Sequence, residues 1–281
     1  MERTGLVLEG GGMRGVYSGG VLDFFIEHSL YFPYVIGVSA GACHGSSYVA
    51  KQKGRNKKVT IDYINHPQYL SYRNLFREKS LFGMNLIFDE LPNRLVPFDF
   101  DTFYSSSQSF MVGTTDCITG EPVYFSKDSA DMLTVLRASC SLPFVSPAVT
   151  INGKELLDGG VSDPIPIRKA IADGNEKNVI ILTRNKGYQK EAFKLKWLAG
   201  KVYKKYPGLV SSLIRRHIVY NETLAYIEQL EREGRVFVIR PTRPIEVDRM
   251  EKNKEKLGRL YDQGYEDAKR TADALAQWLA V

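Results

Sequence analysis

Residues 34–41 read Tyr34-Val35-Ile36-Gly37-Val38-Ser39-Ala40-Gly41. A short β-branched run enters Gly-x-Ser-x-Gly, and small residues follow in the pattern of a helix start. This is the nucleophile-elbow arrangement, in which a sharp strand-to-helix turn lifts one serine hydroxyl clear of the sheet. Gly37 and Gly41 flank Ser39 because side chains there would collide as the helix folds back over the strand. A chain with 24 glycines also meets this pentapeptide by chance on surface turns, so the reading depends on its surroundings.

Upstream, Thr4 to Glu9 has a strand pattern, Gly10-Gly11-Gly12-Met13-Arg14-Gly15 follows, and a helical pattern runs from Val16 to about Ser29. Glycines let the backbone approach a bound group closely, and a helix start aims free N–H donors at it. Gly10, Gly12 and Gly15 also fit the dinucleotide fingerprint GxGxxG. That site wants an acidic residue roughly 20 residues further on, at the end of the second strand, to hold the ribose. Here the second strand ends in Gly-Val-Ser-Ala-Gly, which favours a donor cradle beside Ser39 over a nucleotide site.

Downstream, Leu156-Leu157-Asp158-Gly159-Gly160 follows an expected hairpin: Val149 to Ile151, the turn Asn152-Gly153, then Lys154 to Leu157. An aspartate at a strand end, followed by Gly159 and Gly160, is free to project into a cleft. Alone it reads equally as a turn or cap. Asp163, before Pro164-Ile165-Pro166, reads as the residue that sets the next turn or helix start.

Gly-Gly-Gly-x-Arg-Gly, Gly-x-Ser-x-Gly and Asp-Gly-Gly, in this order, resemble the patatin-like phospholipase family, and most of all its bacterial members. The similarity is densest from about Thr4 to Thr183. It implies a lipid acyl hydrolase with a serine–aspartate dyad in an α/β/α fold. By the family's motif Ser39 is the nucleophile and Asp158 the general base. Gly10 to Gly15 form the oxyanion loop, with the N–H groups of Gly11, Gly12 and Met13 as donors. Arg14 takes the family's basic position, where a cation helps hold negative charge.

The residues themselves lead the same way. A serine hydroxyl is a weak nucleophile and needs a neighbouring base. Of the four histidines, His28 ends the first helix and His66 lies in a polar Asn-His-Pro loop. His44, five residues past Ser39 in the same expected helix, faces away from the hydroxyl. His217 follows Arg215 and Arg216 in a basic stretch that reads as a solvated face, though sequence leaves a return to the elbow open. Asp158 is the better base, and partial burial would raise its proton affinity toward the task.

A chain of 281 residues is one large or two small domains, long enough for a substantial core. Met-Glu-Arg-Thr runs straight into the first strand, so no signal peptide is expected, and no apolar run approaches a bilayer span. Cys43, Cys117 and Cys140 show neither paired spacing nor a metal motif and read as reduced thiols, Cys43 packing beneath the elbow. The expectation is a cytoplasmic enzyme without metal or cofactor. Strands at Ser109 to Thr115, Pro122 to Phe125 and Asn178 to Thr183, with a helix at Asp128 to Ser139, predict a mostly parallel central sheet between helical layers. Residues 4–183 would form the catalytic core and 184–281 a basic, mainly helical region completing the domain.

Lys51 to Lys58 carries five cations in eight residues and reads as a solvated helix exit. Leu70 to Pro97, rich in Leu, Phe and Met, reads as a core helix, or as an apolar cap over the site. Arg184 to Arg216 holds ten Lys or Arg and one acid, a net +9 against +6 for the whole chain. Lys190, Lys194, Trp197, Lys201 and Lys205 fall at helical spacing, which predicts either a basic helix on an anionic membrane surface or a solvated face. No motif supports nucleic-acid binding. Ser212 to Glu233 reads as a helix, Arg235 to Arg240 as a strand, and Arg249 to Leu279 as one or two helices weakened by Gly258 and Gly264. Two functions stand: a lipid ester hydrolase, or a non-catalytic protein holding an acyl or anionic ligand on the same fold. Substrate and oligomeric state are not legible.

Overall fold

A computed structural model of the chain describes residues 3–280. Met1 and Glu2, which contribute to the expectation of no leader, lie outside them. β1 (Thr4–Leu8) passes through a 3₁₀ turn (Gly12–Gly15) into α1 (Val16–Glu27), and β2 (Tyr34–Val38) into α2 (Ala40–Val49). A lateral excursion follows: α3 (Arg55–Lys57), π-helical Lys58–Asp62, α4 (Tyr72–Glu78), π-helical Leu86–Leu95 and α5 (Phe100–Ser105). The chain returns through β3 (Ser109–Asp116), β4 (Pro122–Ser126), α6 (Met132–Ser139), β5 (Val149–Ile151), β6 (Lys154–Asp158), α7 (Ile167–Ala172) and β7 (Lys177–Ile181). It closes with α8 (Lys196–Val202), α9 (Pro207–Arg232), β8 (Val236–Ile239) and α10 (Lys254–Ala280).

The sheet order is β5-β6-β3-β2-β1-β7-β8, with β4 on β3. β3, β2, β1, β7 and β8 run parallel, while β4, β5 and β6 are antiparallel. Every residue of β1 and β2 is buried, as a sheet covered on both faces requires. Leu6, Leu8 and Val35 on one face meet Tyr17, Leu22, Phe25 and Leu260 from α1 and α10. Val7, Ile36 and Ile180 on the other meet Ala170, Tyr220 and Ile227 from α7 and α9. The result is the expected three-layer α/β/α fold.

One register sets Ser39 beside Asp158. Along β3, β2 pairs up to Val38↔Gly113, and β6 begins at the next residue with Thr114↔Asp158. β4 pairs both Gly113 and Thr114 on the opposite edge, so β6 takes over the edge that β2 vacates. The residue at which β2 leaves for its helix, Ser39, is thereby set beside the last residue of β6, Asp158.

Several expectations are corrected. Lys190, Lys194, Trp197, Lys201 and Lys205 do not share a helix face: residues 190–195 are irregular, and α8 holds only Trp197 and Lys201. Trp197 is exposed, whereas Lys190 is half-buried. Gly258 and Gly264 interrupt nothing, since α10 is one helix of 27 residues. Gly264 instead permits a close crossing: a Cβ there would stand 2.1 Å from Tyr17 O of α1, and one at Gly20 would stand 2.0 Å from Tyr261 O of α10. Leu70 to Pro97 is neither one core helix nor a free cap. Leu70, Met84, Leu86 and Leu91 are buried in the main core, while Tyr72 and Phe76 on α4 are exposed. In the Lys51–Lys58 run, Arg55 turns inward to Ser47 Oγ and Val96 O, both at 3.2 Å, and lies over the Phe98 ring. Among the described residues no helix is long and apolar enough to cross a membrane.

Candidate active site

Ser39 joins β2 to α2 with φ 54° and ψ −128°, a conformation that costs a non-glycine residue energy and that the surrounding packing must hold. Gly41 is what allows α2 to come so close: a Cβ there would lie 2.6 Å from the carbonyl oxygens of both Leu8 and Glu9. The strained turn is tied from behind by Ser139, at the end of α6. Ser39 N donates to Ser139 Oγ at 2.8 Å, and Ser139 Oγ donates to Gly113 O at 2.7 Å.

Ser39 Oγ donates to Asp158 Oδ2 at 2.7 Å. The other carboxylate oxygen accepts from Gly160 N at 2.7 Å, and the Asp158 carbonyl accepts from Thr115 Oγ1 at 2.9 Å. Asp158 is only 2% exposed. Burial pushes its proton affinity above the ordinary carboxylate range, against the opposing pull of Ser39, Arg216, Gly160 and Arg249. A carboxylate so placed is a stronger base than one in water, and it already holds the hydroxyl proton it would take.

The glycine loop passes over the same spot. Gly10 N donates to Pro164 O at 3.3 Å, and Met13 N donates to Arg249 O at 3.1 Å. Met13, expected as an oxyanion donor, is therefore already engaged. Among the described residues, the N–H groups of Gly11 and Gly12 meet no acceptor, and these two form the open donor pair. Gly15 lies against Ala40 and His44 at the start of α2. Gly37 is equally tight against Ala42, and Gly159 against Gly113. The side chain of Arg14 is 7% exposed, and its Nε has no hydrogen-bond partner.

None of the histidines hydrogen-bonds to the dyad. His44 is buried and desolvated, its pKa pushed down to about 4, so it stays neutral. His217 Nδ1 pairs with Ile214 O within its own helix, and His28 Nδ1 with Phe24 O. All three cysteines are free thiols: Cys43 Sγ and Cys140 Sγ lie 3.4 Å apart beside Ser39, a proximity the sequence spacing does not show, whereas Cys117 is buried elsewhere. Contact with Cys43, together with burial, holds the Cys140 thiol well above its usual range, so it remains protonated. No group of three or more His, Cys, Asp or Glu is arranged to hold a metal ion among the described residues.

An apolar cavity of about 100 Å³ opens at Ser39 and is walled by Tyr69, Phe82, Met84, Phe88 and Leu142, together with Gly12. Much of the lateral excursion thus forms its wall. A larger hollow of about 530 Å³ between residues 243–247 and α10 shares no residue with the dyad.

Three residues near the dyad were not legible in sequence as site residues. Ser139 holds the elbow. Arg216, read as part of a solvated face, donates through Nε to Gly160 O. Arg249 supplies the carbonyl that anchors the loop at Met13. No local signal marks these long-range contacts. Arg184 lies three residues past β7, which pairs in parallel with β1, at the strand ends where open α/β sheets bind ligands.

A family model described as patatin-like phospholipase matches residues 6–171, and a domain of unknown function, DUF6363, matches residues 206–280. The chain is 30% identical over 252 residues to the uncharacterized protein YjjU of Escherichia coli K12, covering 86% of this chain and 70% of that one. It is 29% identical over 182 residues to lysophospholipase NTE1 of Meyerozyma guilliermondii, covering 59% of this chain but only 12% of that much longer protein. The crystal structure of VipD from Legionella pneumophila aligns with a TM-score of 0.50 at 14% identity, covering 98% of this chain and 67% of VipD, a likeness of fold alone. With more than half its length matched by one model and the motifs in register, this chain belongs to the patatin-like phospholipase family.

Proposed function

We propose that the chain is a serine–aspartate lipid acyl hydrolase, of phospholipase A or lysophospholipase type. The observation that carries this reading is the 2.7 Å hydrogen bond from Ser39 Oγ to the buried Asp158 carboxylate at the mouth of an apolar cavity. Ser39 Oγ attacks the ester carbonyl as its proton passes to Asp158 Oδ2. The tetrahedral oxyanion is held by the N–H groups of Gly11 and Gly12. Collapse expels the alcohol, which takes the proton from Asp158, and leaves an acyl-enzyme. Water, deprotonated by the same carboxylate, then hydrolyses it. The lysophospholipase activity named for the Meyerozyma relative is of this class. The cavity, at about 100 Å³, is below the roughly 300 Å³ of a small ligand pocket. A long acyl chain therefore requires the walls at Phe82 and Phe88 to part.

The test is labelling with a fluorophosphonate, read by intact mass, alongside turnover of p-nitrophenyl butyrate. Wild type labels and turns over, Ser39→Ala does neither, and Asp158→Asn loses most turnover. A folded wild type that neither labels nor hydrolyses the ester would refute the hydrolase reading and favour the alternative, a non-catalytic acyl- or anion-binding protein.

A further inference from the structure

Beside the dyad stand five cations: Arg216 and Arg249 act on the Asp158 carboxylate, Arg14 belongs to the glycine loop, and no step of the acyl transfer uses Arg184 or Lys190. Arg14 comes from the glycine loop, Arg184 and Lys190 from the segment after β7, Arg216 from α9, and Arg249 from the segment before α10. Arg14, Arg184, Arg216 and Arg249 all lie close enough to Lys190 to repel its charge, and Arg216 and Arg249 reach the Asp158 carboxylate as well. Arg216 is bonded to Gly160 O, whose own N–H holds Asp158. Arg249 lies over the loop, its Cγ 2.6 Å from where a Cβ on Gly12 would stand. Lys190 is fixed by a reciprocal pair with Asn221, its N donating to Oδ1 at 2.8 Å and its carbonyl accepting from Nδ2 at 3.1 Å. Its ammonium stands 5.4 Å from the centre of the Tyr220 ring. Arg184 stacks on Tyr188, whose ring meets Tyr220 edge-on.

Such a gathering of like charge is costly unless something negative shares it. Among the described residues, none of the five has a carboxylate oxygen within 4.0 Å. Glu9, the nearby buried acid, is already engaged by Tyr220 OH at 2.6 Å and by Thr183 N. The strain registers on the cations: burial, then Arg216, Arg249, Arg14 and Arg184, push the Lys190 ammonium down to about 7. Burial together with neighbouring arginines brings Arg14 and Arg216 each down to about 10. Two buried polar atoms in this wall also lack partners. One is Nε of Arg14, itself 93% buried, and the other is Oγ1 of Thr183, beside Gly11. Among the described residues these two donors have no protein acceptor, so a bound anion or water must serve them.

We infer that Arg14, Arg184, Lys190, Arg216 and Arg249, with the Thr183 hydroxyl, form a receptor for a phosphate dianion, which selects acyl lipids bearing a terminal phosphomonoester. The assignment rests on the acyl-hydrolase reading for its substrate and on the cluster alone for its ligand. A doubly charged, unsubstituted phosphate fits because the site offers donors from several directions, while among the described residues the rings of Tyr188 and Tyr220 are already taken by Arg184 and Lys190 and Glu9 by Tyr220 and Thr183, leaving nothing for a choline cation. A lysophosphatidic acid would seat its phosphate here while its ester carbonyl meets Ser39.

Two measurements separate the parts. Inorganic phosphate is titrated calorimetrically into Ser39→Ala at low salt, and wild-type kcat/KM is compared for a lysophosphatidic acid and the monoacylglycerol of the same chain. The receptor predicts one saturable phosphate site, weakened at least tenfold in Arg184→Ala/Lys190→Ala. It also predicts at least a tenfold preference for the phosphorylated lipid, which collapses toward unity in that double variant. Phosphate binding with equal turnover of both lipids would overturn the headgroup assignment and leave a site for free phosphate. No phosphate binding and no preference, with p-nitrophenyl butyrate still hydrolysed, would overturn the receptor while the hydrolase stands. Phosphate binding by a protein inert to every ester would support the receptor and overturn the hydrolase.

Discussion

Ser139→Ala tests whether the nucleophile is held from behind. The hydroxyl accepts from Ser39 N and donates to Gly113 O, at 2.8 and 2.7 Å, with the Ser139 side chain fully buried. Alanine leaves Ser39 N–H desolvated and unpaired, costing about 1–3 kcal/mol, and removes a second bond worth about 1 kcal/mol net. A loss of about 2–4 kcal/mol is a large part of the roughly 5–15 kcal/mol that holds a domain, yet leaves it folded. The midpoint of guanidinium unfolding measures it. Because the orphaned N–H belongs to the nucleophile's own residue, kcat on p-nitrophenyl butyrate should fall about 10- to 100-fold as Oγ loses its aim, with KM little changed. Ser141→Ala is the comparator: its hydroxyl bonds only Arg137 O, one turn back, and its loss should cost about 1 kcal/mol or less. A Ser139→Ala protein destabilised by less than about 0.5 kcal/mol, with kcat within twofold of wild type, would refute the reasoning.

The proton affinity of Asp158 is raised by burial, so the acid limb of the kcat/KM profile should lie above the value of about 3.9 for an exposed aspartate; a limb at or below that value contradicts the assignment. The same shift has a stability sign. The folded form binds this proton more tightly, so the contribution of Asp158 is full below its unfolded value and is lost as pH rises through its raised folded value. The melting temperature of Asp158→Asn should accordingly gain on wild type between pH 4 and 8, and a flat difference counts against a buried charge. Gly41→Ala drives a Cβ against two backbone carbonyls that cannot yield, and should cost about 1–3 kcal/mol or more with loss of turnover. For Gly264→Ala two effects oppose each other: helix propensity favours alanine by about 1 kcal/mol, while the 2.1 Å approach to Tyr17 O disfavours it. Packing should win, giving net destabilisation in urea, whereas a stabilised variant would mean the helices separate freely.

What was legible from residues alone is what the chain writes locally. The elbow needs a strand, a small-residue turn and a helix within about fifteen consecutive positions, and Asp158 announces itself by a strand end and two glycines. Both lie at strand ends of one sheet, so the fold that the motifs imply also brings them together. Of the cations beside them, Arg14 is written into the glycine motif, but Arg216 and Arg249 carry no such signature. Arg216 looks like any cation on a basic helix until α9 is laid across the Gly159–Gly160 turn. The spacing of Lys190 mimicked a helical stripe because a period of 3.6 needs only a few coincidences, and the chain there is irregular. Gly264 was read for its propensity, a weak local term that a tertiary contact overrides.

The crossing of α1 and α10 bears on how the protein comes into being. α1 follows the glycine loop near the start of the chain, and α10 closes over it from residues 254–280, with Arg249 just ahead of it anchoring Met13. A ribosome delivers the dyad strands and both glycine motifs long before it delivers this clamp, at about 5–20 residues per second. For several seconds the nascent chain thus carries the Ser39 and Asp158 segments without the Arg249 carbonyl that anchors the glycine loop. The region matched by the patatin-like model, 6–171, therefore lacks the carbonyl that ties its own glycine loop. The loop gains its tie at Met13 only when residue 249 has been added, so the order of synthesis sets the order in which this cradle can be assembled.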